Sequence, residues 1–432
     1  MPVRFRPRAL PHTSHKVTMS NLVRAYLVMS MDDVASVSLG TDRPSTHLWR
    51  SEKSSIPPKR LIWVDDRLSA DQAYRYAKQG VGMVWCGDFH QAKQCLSGLS
   101  RRVDQHLRGR SAVETPKINT DSTQVLTLFE QHRQRQARRA KILDHVLVPL
   151  EANYKIRLRR APDMTAILLH IYGETHEPSI IPLKTLLGIM GAEQWQQRGI
   201  ELHVLQSLTA SSAIPKIYPH YGVFSPVRGE YLELVAKAPM SHVKIAFDIG
   251  TGTGVLAAIL AHRGVEKVIA TDNHPRALRC AEQNIVQLGY AHRVDICHCD
   301  LFPEGQADLV VCNPPWLPAQ PHTAIEHAIY DPNSQMLRGF LAGLAAHLTQ
   351  QGEGWLIMSN LAELLGLRRS DELAQWIASA GLEVIARMDC KPTHSKVNDV
   401  TDPLHVARAA EITSLWRLRV AGVIVSTKNK CH

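Results

Sequence analysis

No run of eighteen apolar residues occurs in the 432-residue chain, so a membrane span is not expected. Paired cysteine spacing is missing too: the eight cysteines are scattered, and a chain of this length can bury enough apolar surface to do without disulfides. That usage points to a reducing, cytoplasmic compartment. The metalloprotease pattern His-Glu-x-x-His and the nucleophile elbow Gly-x-Ser-x-Gly are both absent, which removes two common hydrolase classes. There is no internal repeat, and no RRM or KH signature of a dedicated RNA-binding module. Cys297-His298-Cys299 alone has a metal-like density. In a strand its cysteines share one face and the histidine takes the other, so the three cannot converge on one ion and no metal is expected.

What is present is the composition of a globular protein, 44% hydrophobic and 21% charged, at a length that suits two domains. The formal charge of +10 is unevenly placed: residues 1–60 hold ten Lys/Arg against four Asp/Glu, with no acidic residue before Asp32. A second basic stretch runs from Arg133 to Arg160 and contains only Asp144 and Glu151 as acids. Clustered cations track phosphates, so RNA or ribosome contact through Arg133–Arg160 is one reading; a solvated helix face is the other.

Residues 1–58, rich in Pro, Ser, Thr and Arg, are expected to form a disordered basic tail closed by Pro57-Pro58. A transit peptide, or a true start at Met19, Met29 or Met31, are alternatives. Residues 61–210 read as a mainly helical substrate-recognition domain. Ser69 and Gln72 form a capping box for a helix ending near Gly80, and a second helix follows Asp88 to about Leu99. The longest is expected over Asp121–Val148, with Val125, Leu128, Phe129, Ala140, Leu143 and Val146 as its apolar face. From 215 to 422 short β-rich runs alternate with helices of ten to fifteen residues, the pattern of a parallel sheet with crossover helices. Strands are expected at Lys244–Ile249, Lys267–Thr271, Val294–Cys299, Asp308–Cys312, Gly354–Ser359, Glu383–Arg387 and Ile412–Leu418. Helices are expected at Gly254–Arg263, Pro275–Leu288, Ser334–Leu348 and Ser370–Ser379. Ligands in such folds bind at the carboxyl ends of the strands.

Each chemically suggestive motif falls at such an end. Asp248-Ile249-Gly250-Thr251-Gly252-Thr253-Gly254 follows a strand and opens a helix, where glycines permit a tight turn and free N–H groups face a ligand. Dinucleotide enzymes use a similar device, and Asp272, 22 residues after Gly250, suits a ribose in either case. Three features separate the readings. Asp248 would repel a phosphate but welcome a cationic amino-acid group. Asp300 ends the third strand, where an adenine amino group could donate to it. The fourth strand ends in Asn313-Pro314-Pro315-Trp316, for which a nicotinamide oxidoreductase has no use.

Together these residues resemble class I S-adenosylmethionine-dependent methyltransferases, in particular the N-methylating branch marked by Asn-Pro-Pro-aromatic. The resemblance implies a Rossmann-like α/β fold with a seven-stranded sheet and S-adenosyl-L-methionine as cofactor. Gly250, Thr251, Gly252 and Gly254 would wrap its methionine part, Asp248 would lie near its amino group, Asp272 would hold the ribose, and Asp300 with Leu301 would meet the adenine. Asn313 and Pro314 would supply acceptor carbonyls to the nitrogen being methylated, with Pro315 keeping the pair rigid and Trp316 stacking on a planar substrate. Trp replaces the usual Tyr or Phe at this position, which narrows the pocket.

Two acceptors remain open. Tyr221–Tyr231, with Phe224, Pro226 and Arg228 as substrate-lining candidates, is similar to the segment of HemK-type protein-glutamine methyltransferases that act on release factors, although a second Pro and a Thr are missing. The rival is an RNA base N-methyltransferase of the ribosomal guanine or tRNA adenine kind, which the basic stretch supports. We take protein glutamine first. A cofactor-binding factor without catalysis is a third reading, opposed by the intact Asn-Pro-Pro. Asp331 is expected either to line the substrate mouth or to begin the turn into a Ser334 helix cap.

Overall fold

The alternating pattern after Pro215 folds as a mixed sheet clad on both faces. The computed structural model describes residues 22–24, 27–29, 35–39, 45–51, 56–109, 122–206, 213–226, 229–321, 324–393, 399–400 and 402–422. They form two compact units: one holds the described part of the chain up to Arg108 together with Arg139–Thr185, the other Gly109–Arg138 and the chain from Leu186 onward.

In the second unit seven strands are β1 Ile245–Ile249, β2 Lys267–Asp272, β3 Val294–His298, β4 Ala307–Cys312, β5 Leu348–Ser359, β6 Leu382–Cys390 and β7 Thr413–Val420. Their order is β3-β2-β1-β4-β5-β7-β6. All neighbours are parallel except β7, which runs antiparallel to both β5 and β6. This is the expected seven-stranded α/β sheet. From Gly229 onward its α-helices are α1 Glu230–Lys237, α2 Val255–His262, α3 Pro275–Gln287, α4 Gln335–His347, α5 Leu361–Leu364, α6 Glu372–Ser379 and α7 His405–Ala409 among the described residues. One core lies where α1 and α2 meet one sheet face through Tyr231, Val235 and Ile259. The other lies where α4 and α6 cover the opposite face through Phe340, Leu344 and Ile377. Being covered on both sides explains why β1 and β4 are nearly continuous apolar runs.

The first unit differs from the helical expectation. Its described residues build an eight-stranded sheet ordered Leu22–Arg24, Arg60–Val64, Val81–Trp85, Val146–Leu150, Ser179–Pro182, Ser45–Trp49, Ala35–Leu39 and Leu27–Met29. Four of these strands fall within 1–58, where a tail was expected. Helices are present as anticipated after the Ser69–Gln72 capping box, at Ala70–Lys78, and after Asp88, whose carboxylate accepts from the N–H groups of His90 and Gln91. The second of them runs on to Gly109. The long helix, however, is Ser122–Leu143, and Val146–Leu150 is a strand. That is a correction: Val146 belongs to a β-branched run buried between two neighbouring strands, and sheet burial outweighs continuation of the helical period.

Candidate active site

Strand register brings the two key loops together. Ile249, the last residue of β1, pairs with Cys312, the last of β4, so Gly250–Gly254 and Asn313–Trp316 leave the sheet side by side. The strand order reverses at this point, which opens a crevice between the diverging loops.

The first loop needs its glycines. Gly250, Gly252 and Gly254 hold φ of +70°, +56° and +80°, a region that costs side-chain-bearing residues about 1–2 kcal/mol. A Cβ on Gly250 would stand 2.6 Å from Met336 Cε, and one on Gly254 would stand 3.2 Å from Ala281 Cα. The loop is tied down by Thr251 N–H donating to the Thr271 carbonyl at 2.8 Å and Gly252 N–H donating to Asp272 Oδ2 at 3.1 Å.

Asp248 is only 1% exposed and does not line the crevice; it lies beneath the loop. Its Oδ2 accepts from Thr251 Oγ1 at 2.6 Å and Ala257 N–H at 3.0 Å, while Oδ1 is buried without a hydrogen-bond partner among the described residues. Burial pushes its carboxyl up to about 6, against the pull of those two hydrogen bonds, with nearby Asp272 adding to the rise. A cation approaching the loop would favour the ionised form.

Asp272, at the end of β2, lines the crevice and also accepts from His274 N–H at 2.9 Å. Burial raises its carboxyl, and the hydrogen bonds from His274 and Gly252 oppose that rise. After β3, Asp300 is exposed and Leu301 adopts a φ of +64°, its carbonyl accepting from Thr271 Oγ1 at 2.7 Å. Cys299 is raised to about 11, chiefly by burial and then by Cys297, so its thiol stays protonated. Among the described residues no three His, Cys, Asp or Glu side chains converge as a metal site would require.

After β4, Pro314 is buried while Asn313, Pro315 and Trp316 are half-buried at the crevice. Trp316 Nε1–H donates to Asn313 Oδ1 at 3.0 Å. The Trp316 carbonyl accepts from Arg368 Nη2 at 3.3 Å, and Arg368 in turn meets Glu363 Oε1 at 3.3 Å with its side chain 2% exposed. Asp331 opens the turn as foreseen, its carbonyl accepting from Ser334 N–H at 2.9 Å, and it takes the cap expected of Ser334. It lines the crevice, and its two oxygens accept from the N–H groups of Met336 and Leu337, capping α4. Ser334, expected as the cap, instead sits at φ +53° with no capping bond.

Of the upstream candidates, Phe224 lines the crevice beside Val223 and Tyr231, Pro226 is buried away from it, and Arg228 lies outside the described residues. Sequence reasoning missed three contributors. Phe129 and His132, from the helix Ser122–Leu143, line the same crevice. Phe129 packs with Leu317, Leu361, Leu365 and Leu404, and Arg133 pairs with Glu326 at 3.2 Å while lying 3.9 Å over the Tyr330 ring. The third is Arg368; a single arginine after a short helix carries no sequence signal. Phe129 was legible only as an apolar helix position.

The crevice measures about 1060 Å³, just above the usual small-molecule range of about 300–1,000 Å³, enough for a cofactor and a small acceptor group together. Its glycine cradle, which side chains would fill, and the carboxylates of Asp272 and Asp300 suit a ligand that combines an amino acid with a nucleoside. Residues 216–364 match the family model of the methyltransferase small domain. The chain is 27% identical over 143 residues to the tRNA1(Val) (adenine(37)-N6)-methyltransferase of Shewanella sp. (strain MR-4), covering 31% of this chain and 60% of that protein. It is 31% identical over 170 residues to the release factor glutamine methyltransferase of Cereibacter sphaeroides, covering 36% and 58%. It is 32% identical over 140 residues to the ribosomal protein L11 methyltransferase of Pelotomaculum thermopropionicum, covering 31% and 42%. The chain therefore spans about half the length of these relatives. The sheet, the glycine cradle and the match to the methyltransferase small domain model coincide in one stretch of the chain.

Proposed function

We propose that this protein is an S-adenosylmethionine-dependent N-methyltransferase whose acceptor is a planar amide, the side chain of a protein glutamine. The observation that carries the reading is the placement of Asn313-Pro314-Pro315-Trp316 against the glycine loop across one pair of strand ends. The bound cofactor supplies a methyl group on a sulfonium, which departs readily once a lone pair faces it. Gly250–Gly252 give the backbone cradle for its amino-acid end, with the Asp248 charge beneath. Asp272 keeps lone pairs for ribose hydroxyls, and Asp300 with Leu301 stands at the adenine end.

An amide nitrogen is a poor nucleophile because its lone pair is delocalised. Acceptors on either side of the NH₂ group draw its protons out of plane and return the lone pair to nitrogen. Asn313 offers its side-chain oxygen, and Pro314 offers a carbonyl followed by a proline that has no N–H to contest it. The walls of Trp316, Phe129 and Leu317 exclude water and strengthen these contacts. The chemistry is largely positioning and preorganised dipoles.

Protein is preferred to RNA because the basic stretch is largely matched by carboxylates within its own chain. Arg133 pairs with Glu326, Arg139 with Asp104, Arg157 with Glu151, Arg159 with Asp66 and Arg160 with Asp88. The formal charge of +10 favours the second reading, an RNA base amine. Methyl transfer from radiolabelled S-adenosylmethionine into a cell extract, split into protease-treated and nuclease-treated halves, separates the two. Label lost to protease and kept after nuclease is expected; the reverse would sink the glutamine reading.

A further inference from the structure

The departure from the usual aromatic at position 316 has a physical consequence. Tyrosine or phenylalanine offers a ring face; tryptophan adds an N–H that can only donate. In this structure that N–H meets Asn313 Oδ1 at 3.0 Å. A side-chain amide is free in principle to turn over, exchanging its oxygen for its NH₂, and the exchange would present a donor where the reaction needs an acceptor. A donor-only neighbour forbids the exchange, because the flipped amide would face N–H with N–H.

Trp316 is itself held. Its ring packs against both hydrophobic cores, and its carbonyl accepts from the buried Arg368, which Glu363 secures from α5. A line of contacts thus runs from Glu363 through Arg368 and Trp316 to Asn313. An amide oxygen has two lone pairs, so one can anchor on the indole while the other remains for an acceptor NH₂.

We infer that Trp316 is a positioning residue: its indole N–H fixes the Asn313 amide with the oxygen oriented as a hydrogen-bond acceptor, a role that a phenyl ring cannot fill. The inference rests on the N-methyltransferase reading for its meaning in catalysis, whereas the bond itself can be tested without any acceptor. In ¹⁵N-labelled protein, Trp316→Phe identifies the Trp316 indole resonance by its loss. Asn313→Ala is then expected to move that resonance upfield, toward the position of an unbonded indole. A resonance unmoved by Asn313→Ala overturns the proposal.

The functional arm uses the extract fraction that the wild-type protein labels. Trp316→Phe, which keeps an aromatic ring, is expected to slow transfer about tenfold, the effect of losing one hydrogen bond to a reacting group. Binding of S-adenosylhomocysteine, used as the cofactor probe, should stay within about twofold of wild type. In the Asn313→Ala background the same change should have little further effect, because the group it positions is gone. An equal tenfold loss in both backgrounds would mean that Trp316 acts by stacking alone and would overturn the proposal. If wild-type protein labels nothing, the N-methyltransferase reading fails, and the resonance still decides whether the bond exists.

Discussion

Asp248 offers the sharpest physical test of the site, because its position makes folding stability depend on pH in a definite direction. The carboxyl is buried and rises from 3.8 to about 6 in the folded protein. At about 1.4 kcal/mol per unit, that rise corresponds to about 3 kcal/mol of stability. Because the folded value lies above the unfolded one, the unstrained state is fully present below about pH 4, and stability is lost as pH rises to about 6. Other carboxylates change wild-type stability over the same range, so the informative quantity is the difference between wild type and Asp248→Asn. The amide oxygen can still accept from Thr251 and Ala257, while its NH₂ falls where Oδ1 has no partner among the described residues. That unmet donor adds a roughly constant offset and leaves the slope intact. Urea unfolding of both proteins between about pH 4 and pH 7.5 is therefore expected to show the variant gaining about 2–3 kcal/mol on wild type across the range. A difference that stays flat to within about 0.5 kcal/mol would refute a buried, strained carboxylate beneath the glycine loop.

Three further outcomes follow from the same geometry. Binding of S-adenosylhomocysteine near pH 6 should release protons as its ammonium group favours the ionised Asp248; calorimetry in two buffers of different ionisation enthalpy measures this, and identical heats would count against an ammonium near that carboxylate. Asn313→Ala is expected to reduce turnover by about 10²–10³, the typical effect of removing one preorganised polar contact, with cofactor-probe affinity little changed. A loss under about tenfold would remove Asn313 from the reacting centre. Gly254→Ala should cost about 1–2 kcal/mol in urea unfolding, since it places a side chain at φ +80° with its Cβ 3.2 Å from Ala281 Cα. Wild-type stability in that variant would contradict the loop conformation.

The half that holds the seven-stranded sheet was legible because its signals are local. Each strand from β1 to β7 and the helices α2, α3, α4 and α6 are marked by short-range periodicity and punctuation, and the glycine and Asn-Pro-Pro motifs sit where strand ends put them. The main difference is length: β5 begins at Leu348, several residues earlier than the apolar pattern indicates. The first unit was less legible. Its strands are short, several lie in polar sequence, and Val146–Leu150 follows a helix with too little punctuation to mark the change. Strand pairing there is a property of distant partners, which a local window cannot contain.

By itself, then, the sequence determined the seven strands and the helices α2, α3, α4 and α6, the two loops at the ends of β1 and β4, and the carboxylates that end β2 and follow β3. Only the tertiary structure decided which residues meet. It put Asp248 behind the loop and out of the crevice, gave the α4 cap to Asp331, and brought Phe129 and His132 to the crevice from a helix that precedes the seven-stranded sheet. It also joined Arg133 to Glu326 across 193 positions, and Arg368 to Trp316 across 52. Such contacts depend on side-chain direction and on packing between elements. Local composition encodes neither, which is why a chain can display its motifs in sequence and leave the walls of the crevice between them to the fold.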